Sequence, residues 1–275
     1  MTILTLVLMA TATVPLQKVD WNAAKEIAPG VRYRAFAVET PRLMKGYMTR
    51  VDLTKNDVMS SEKGMKRERT AEFARRLRAC GTNVVVAVNM CPWSGAGTGD
   101  DPKGIREFKL DGLNVQNGEI ASDKAIKGWF DGFFAVRKDG TPEILHVPPE
   151  QSLGDYRILL NGYGRVLKDG APFGRSRESD LHPRTAVGLS KDRRYLFLLA
   201  VDGRQPGWSL GANCADLAKF LLEAGAWDAA NMDGGGSTTL VCRDAKTGDF
   251  KMMNRHDALH FYTRAVAINL AVIGK

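Results

Sequence analysis

The segment Asn83-Val84-Val85-Val86-Ala87-Val88-Asn89 sets the first limit on this chain. Its apolar run is almost entirely β-branched and has no polar face to turn toward water. It reads as a strand buried on both sides, which demands one layer above it and another below. Helices are expected nearby. Over residues 69 to 80, Phe73, Ala74 and Leu77 share one face, and Gly81 follows as a C-cap. Over residues 214 to 224, Leu217, Leu221 and Ala224 form a stripe. Asn213 and Asp216 stand at capping-box positions there, and Gly225 ends the helix. Between the two helices the pattern is one of hairpins, with turns at Asn117-Gly118 and Lys138-Asp139-Gly140. The expected fold class is therefore α/β (α+β), a mixed central β-sheet flanked by helices and rich in hairpins.

The second segment that stands out is Asn231-Met232-Asp233-Gly234-Gly235-Gly236-Ser237-Thr238-Thr239. Consecutive glycines lose much backbone entropy on folding, so a chain keeps them where side chains would obstruct something. Here the obstruction would fall beside a carboxylate and a row of hydroxyls. Backbone N–H groups in such a turn converge on an anion or a sugar oxygen. The competing reading is a structural turn with Asp233 capping amides.

Other polar groups leave strand ends in the same way. Asn89 closes the valine strand, Asp202-Gly203-Arg204 follows an apolar strand, and Arg184 precedes one. If these strands share a sheet, the groups gather at one rim. Arginine forks suit phosphate or carboxylate, and carboxylates supply a base, a nucleophile or a metal ligand. A sugar, a phosphate or both would fit that inventory.

Familiar alternatives lack their residues. Gly234-Gly235-Gly236-Ser237-Thr238 has no P-loop lysine, no GxGxxG opens a helix, and Ser237 lacks the glycine two residues on that a GxSxG nucleophile elbow requires. His256 and His260 are four apart but have no third ligand and no HExxH context. His146 belongs to a loop, and His182, beside Arg184, is a candidate substrate contact. The four cysteines form no CxxC pair, and Cys80 and Cys242 are expected to be buried thiols. Lys and Arg number 39 against 31 Asp and Glu, a net charge of +8. That favours anionic partners in general. The densest basic run, 66 to 78, is interleaved with Glu68, Glu72 and apolar positions, so it reads as a solvated helix face and not as a nucleic-acid surface. Residues 1–12 form a short apolar, signal-like segment ending Ala10-x-Ala12, which points to a secreted, periplasmic or cell-envelope protein. It is too short for a stable membrane span.

Taken together, several segments resemble the phosphodiester glycosidase family. They are His182-Pro183-Arg184-Thr185-Ala186-Val187-Gly188, Asp202-Gly203-Arg204-Gln205, Asp216-Leu217-Ala218 and Asn231-x-Asp233-Gly234-Gly235-Gly236-Ser237-Thr238-Thr239. The match is strongest over residues 181 to 241 and extends weakly to Asn89 and to Arg264-Ala265-Val266. It departs at Asn89-Met90-Cys91-Pro92-Trp93, where relatives carry Asn-Gly-Gly-Phe-Phe, and at Ile268-Asn269.

The resemblance implies hydrolysis of the sugar C1–O bond of a sugar-1-phosphodiester of the N-acetylglucosamine-1-phosphodiester kind. The products would be free sugar and a phosphomonoester, with a sugar phosphate or anionic glycan as partner. It implies no cofactor and leaves a divalent metal open. Asp202 or Asp233 would stabilise the oxocarbenium-like centre or activate water. Arg184 and Arg204 would hold the phosphate. Asn89, His182, Thr185, Asn231, Gly234, Gly235, Gly236, Ser237, Thr238 and Arg264 would complete the substrate site. The expected layout is the signal-like segment, an N-terminal connector with strands over 13–60, and the glycosidase-like domain over 61–275. A phosphodiesterase, another glycosidase acting on envelope glycans, and a non-catalytic module binding anionic polysaccharide are the alternatives.

Overall fold

The computed structural model describes residues 18–95, 107–123, 130–148, 150–174, 176–256 and 263–275. The signal-like segment and His260 lie outside these residues.

The valine run forms the strand Val84–Asn89, buried at every position. Val84 and Ala87 pack with Phe73, Ala74 and Leu77 of the helix Thr70–Ala79. Val85, Val86 and Val88 face a central core. Layers above and below the strand therefore exist, but they are not those of an α/β protein. Every strand pair among the described residues is antiparallel. Only two α-helices occur among them. The protein is mostly β, which overturns the expected mixed sheet flanked by helices.

The physical reason is visible in a second strand, Tyr195–Val201. Leu196, Leu198 and Ala200 face the central core. Phe197, Leu199 and Val201 face Leu217 and Leu221 of the helix Cys214–Ala224. Sheet packs on sheet, and each helix covers one outer face. Burial on both faces thus arises without parallel strands, although that burial is their usual signature.

Eight strands make the largest sheet. In spatial order they are Lys25–Ala28, Val31–Val38, Met44–Asp52, Tyr195–Val201, Arg184–Leu189, Asp228–Asn231, Gly164–Lys168 and Ala171–Pro172. A five-stranded sheet runs Phe250–Met252, Leu240–Arg243, Val84–Asn89, Asn269–Gly274 and Asn56–Ser60. A second one runs Pro142–Leu145, Gly132–Arg137, Tyr156–Gly162, Asn114–Gln116 and Glu119–Ser122. All three contribute side chains to the central core. The strands of residues 13–60 are hydrogen-bonded into the first two sheets, through Met44–Asp52 with Tyr195–Val201 and Asn56–Ser60 with Asn269–Gly274.

Local chemistry fixes the second helix. Asp216 donates its backbone N–H to Asn213 Oδ1 at 3.0 Å, and Asn213 N–H donates to Asp216 Oδ2 at 2.8 Å, a reciprocal capping box. Gly225 closes the helix at φ +102, where a Cβ would be strained. Leu221 is fully buried between helix and sheet, and its truncation to Ala costs about 2–5 kcal/mol. The first helix ends at an exposed Cys80, contrary to the expected buried thiol, because its apolar face stops at Leu77. Cys242 is buried as expected. Among the described residues no helix is long and apolar enough to cross a membrane.

Candidate active site

The strand Asp228–Asn231 lies between Gly164–Lys168 on one side and Arg184–Leu189 on the other. Its last residue, Asn231, stands opposite Gly164 and Ala186. Beyond it the chain leaves the sheet under tight control. Met232 N–H donates to Thr185 O at 2.8 Å, and Asp233 N–H donates to Met90 O at 2.7 Å. Asn89 Nδ2 donates to Asp233 O at 2.7 Å. Asn89 Oδ1 accepts from Thr185 Oγ1 at 2.7 Å and from Thr239 N–H at 3.0 Å. Asn89 and Thr185 are therefore buried rivets beneath the turn, and neither lines the cleft above it. Thr238 is also buried, its carbonyl taking a bond from Asn254 Nδ2 at 3.0 Å.

The glycines follow from close approach. A Cβ on Gly234 would lie 2.6 Å from Pro183 O. Gly235, at φ +60, donates its N–H to that same oxygen at 2.8 Å and lies under the Arg204 guanidinium. A Cβ on Gly203 would meet Pro183 N at 2.4 Å, and one on Gly211 would meet the His182 backbone at 2.8 Å. The His182–Arg184 segment is thus held between three glycine-bearing loops.

Above the turn lies a cleft of about 980 Å³. Asn231, Asp233, Gly234, Gly235 and Gly236 contribute to its lining, as does Arg264. Arg264 Nη1 approaches Ser237 Oγ at 3.5 Å, and Ser237 in turn hydrogen-bonds the Asp233 carboxylate. Asn231 Oδ1 is buried and has no hydrogen-bond partner among the described residues.

One flank is cationic. Arg184 donates from Nε to Ala212 O at 3.1 Å and from Nη2 to Asp180 Oδ2 at 3.0 Å. Asp180 Oδ1 is 2.8 Å from His182 Nε2, and Arg204 Nη2 is 3.2 Å from His182 Nδ1. A guanidinium only donates, so Nδ1 accepts and Nε2 carries the hydrogen given to Asp180. Partial burial, with Arg184 and Arg204 nearby, holds His182 below the usual histidine range and hence neutral. Asp131, Tyr163, Arg165 and Phe173 line the opposite flank.

Burial pushes the Asp233 carboxyl up to about 7, against the opposing pull of the Ser237 hydrogen bond and the Arg264 charge. A carboxyl poised there exchanges protons at neutral pH. Asp202 is placed differently. It is fully buried and outside the cleft lining. Its carboxylate accepts from Trp208 Nε1 at 2.7 Å, Arg255 N–H at 2.8 Å and Tyr47 Oη at 3.0 Å. It fastens the loop that carries Arg204.

The structure thus gathers Asp233, Asn231, Gly234, Gly235, Gly236, His182, Arg184, Arg204 and Arg264 around one cleft, with Ser237 directly behind Asp233. It sets Asp202, Asn89, Thr185 and Thr238 behind that cleft. Asp131, Tyr163, Arg165, Phe173 and Asp180 are cleft residues that the sequence reading does not single out. The one signal for them is an aromatic between two glycines, Gly162-Tyr163-Gly164. Among the described residues no three His, Cys, Asp or Glu side chains cluster as metal ligands.

A buried acid poised near neutrality, beside a run of arginines at the rim of a sheet, is chemistry for an anionic ester. The comparisons agree with that class. The phosphodiester glycosidase family model matches residues 82–273, and the chain belongs to that family. It is 30% identical over 128 residues to the Bos taurus N-acetylglucosamine-1-phosphodiester alpha-N-acetylglucosaminidase, covering 39% of this chain and 24% of that protein. The Homo sapiens counterpart is 27% identical over 148 residues, covering 45% and 28%. These matches span about a quarter of the length of those relatives. The fold is similar to the zebrafish catalytic domain of the same enzyme, auto-inhibited by its pro-peptide. The TM-score is 0.64 at 22% identity, with 92% of this chain and 86% of that one covered. A Burkholderia pseudomallei protein described as exported shares the fold at TM-score 0.56 and 13% identity, covering 84% and 74%.

Proposed function

We propose that this protein hydrolyses a sugar-1-phosphodiester at the sugar C1–O bond, releasing free sugar and a phosphomonoester. The observation that carries the reading is Asp233, a buried acid with its carboxyl near 7, placed one strand away from Arg184 and its neighbours His182 and Arg204. N-acetylglucosamine is the sugar suggested by the named relatives.

Asp233, ionised, takes a proton from the attacking water as the water oxygen bonds to C1. The C1–O bond breaks, and its electron pair leaves with the phosphomonoester. That product is a dianion at neutral pH and departs without the proton an alkoxide would need. Arg184 and Arg204 neutralise it, replacing the acid half of the usual carboxylate pair. Arg264 and Ser237 favour the charged form of Asp233 against the burial that raises it. Asp202 takes no part, since its carboxylate is occupied by donors from the protein itself.

UDP-N-acetylglucosamine tests the reading with purified protein and an Asp233→Asn control. Free N-acetylglucosamine with UDP, abolished in the control, is the expected outcome. N-acetylglucosamine-1-phosphate with UMP would identify a phosphodiesterase instead.

A further inference from the structure

The flank facing the arginines has a chemistry of its own. Six large apolar side chains are exposed among the described residues, and two of them, Tyr163 and Phe173, line this cleft. Phe173 lies under two cations, with Arg165 and Lys168 at 5.7 and 5.8 Å from its ring centre. Tyr163 is held from one side by Phe130, at 5.4 Å between ring centres. Its backbone is tied to the site, for Tyr163 N–H donates to Asn231 O at 2.8 Å.

The sheet register gives the direction. Asn231 has Gly164 as its neighbour on one side and Ala186 on the other. Tyr163 and Arg184 thus flank Asp233 from opposite strands, each about 5 Å from the central strand. The Tyr163 flank also carries Asp131, whose carboxylate would lie 3.0 Å from a Cβ on Gly164. The floor between the flanks carries the unpartnered Asn231 Oδ1. The Asp131 carboxylate and the buried Asn231 amide oxygen both accept donors from a ligand, and Asp131 repels phosphate. Hydroxyl groups supply such donors, and the C–H face of a pyranose ring lies flat on an aromatic ring.

We propose that Tyr163, backed by Phe130 and flanked by Asp131 and Asn231, is the platform for the sugar ring, so that substrate lies across Asp233 with its saccharide toward Tyr163 and its phosphate toward Arg184 and Arg204. This deepens the hydrolase reading and rests on it for the position of the phosphate.

The test is binding, which is read whether or not a bond is cleaved. The full chain and the variants Tyr163→Ala and Tyr163→Phe are titrated, by ligand-observed saturation-transfer NMR, with N-acetylglucosamine, glucose, galactose and mannose. Inorganic phosphate and uridine are titrated separately. The alanine variant is expected to bind the preferred sugar about tenfold more weakly, the loss of one stacked ring. Its phosphate affinity should stay within about twofold, since that flank is untouched, and Tyr163→Phe should bind sugar like the parent. Four results would overturn the platform: sugar affinity unchanged in Tyr163→Ala, sugar and phosphate affinity lost together, no sugar bound by the parent, or uridine bound at Tyr163 in place of the sugars. If this sugar-binding pattern holds and turnover is absent, the hydrolase reading fails and the platform stands. If turnover holds and Tyr163→Ala leaves KM unchanged, the platform fails alone.

Discussion

Replacing Asp233 by Asn removes a carboxyl that folding makes costly to ionise, and the size of that cost follows from the structure. Burial raises the group from 3.8 to about 7. A shift of about 3 pH units corresponds to about 4 kcal/mol at 1.36 kcal/mol per unit. The raised value means that the folded protein holds this proton more tightly than the unfolded chain does. The stabilisation is complete below about pH 4, is lost as pH rises through about 7, and changes by about 1.4 kcal/mol per pH unit in between. Asn is uncharged throughout. At about pH 5 parent and variant should be nearly equally stable, and by about pH 8 the variant should lead. Loss of the hydrogen bonds that Ser237 and Gly234 give the carboxylate trims the gain to about 2–3 kcal/mol. That corresponds to about 5–10 °C in Tm. Urea unfolding of both proteins across this range isolates the group, because every other titrating residue is common to the two. A stability difference that stays flat from about pH 5 to about pH 8 would show that Asp233 is neither buried as described nor poised near neutrality.

Four further outcomes follow from the same geometry. Asp202→Ala strands three donors from Tyr47, Trp208 and Arg255, so urea denaturation should show a loss of about 3–5 kcal/mol. A variant as stable as the parent but inactive would make Asp202 catalytic. The kcat/KM of the parent should rise with pH to a plateau above about 7, since Asp233 acts ionised, and a fall through that range would assign it an acid role. Arg204→Lys, which replaces the fork lying over Gly235 with a point charge, should lower kcat/KM by about tenfold or more. An unchanged value would remove Arg204 from phosphate recognition. Gly234→Ala drives a Cβ onto Pro183 O and should depress activity along with stability, read as paired changes in kcat and Tm.

Much of the site is legible in the sequence because its residues are bound to local rules. A triple glycine beside an acid announces close backbone approach, and in the structure that approach is to Pro183. The capping box at Asn213 and Asp216 and the left-handed Gly225 need only neighbouring residues to be read. The rest depends on what lies across the molecule. The strands Val84–Asn89 and Tyr195–Val201 are apolar on both faces, and the sequence does not record whether a helix or another sheet covers each face. Asp202 reads as catalytic because it leaves a strand end beside Arg204. Its fate is decided by Tyr47 and Arg255, which are distant from it in the chain. Asp131 escapes notice because nothing local marks it, and the aromatic between two glycines at Tyr163 is a signal shared with ordinary hairpins.

Which bond breaks is the most direct discriminator of the mechanism. Hydrolysis of a sugar-1-phosphodiester in oxygen-18 water, followed by mass spectrometry of both products, reads it. The label should appear in the anomeric hydroxyl of the free sugar, with none in the phosphomonoester, and Asp233→Asn should abolish incorporation. Label found in the phosphate would mean attack at phosphorus, and neither Asp233 nor the arginines would then play the roles proposed for them.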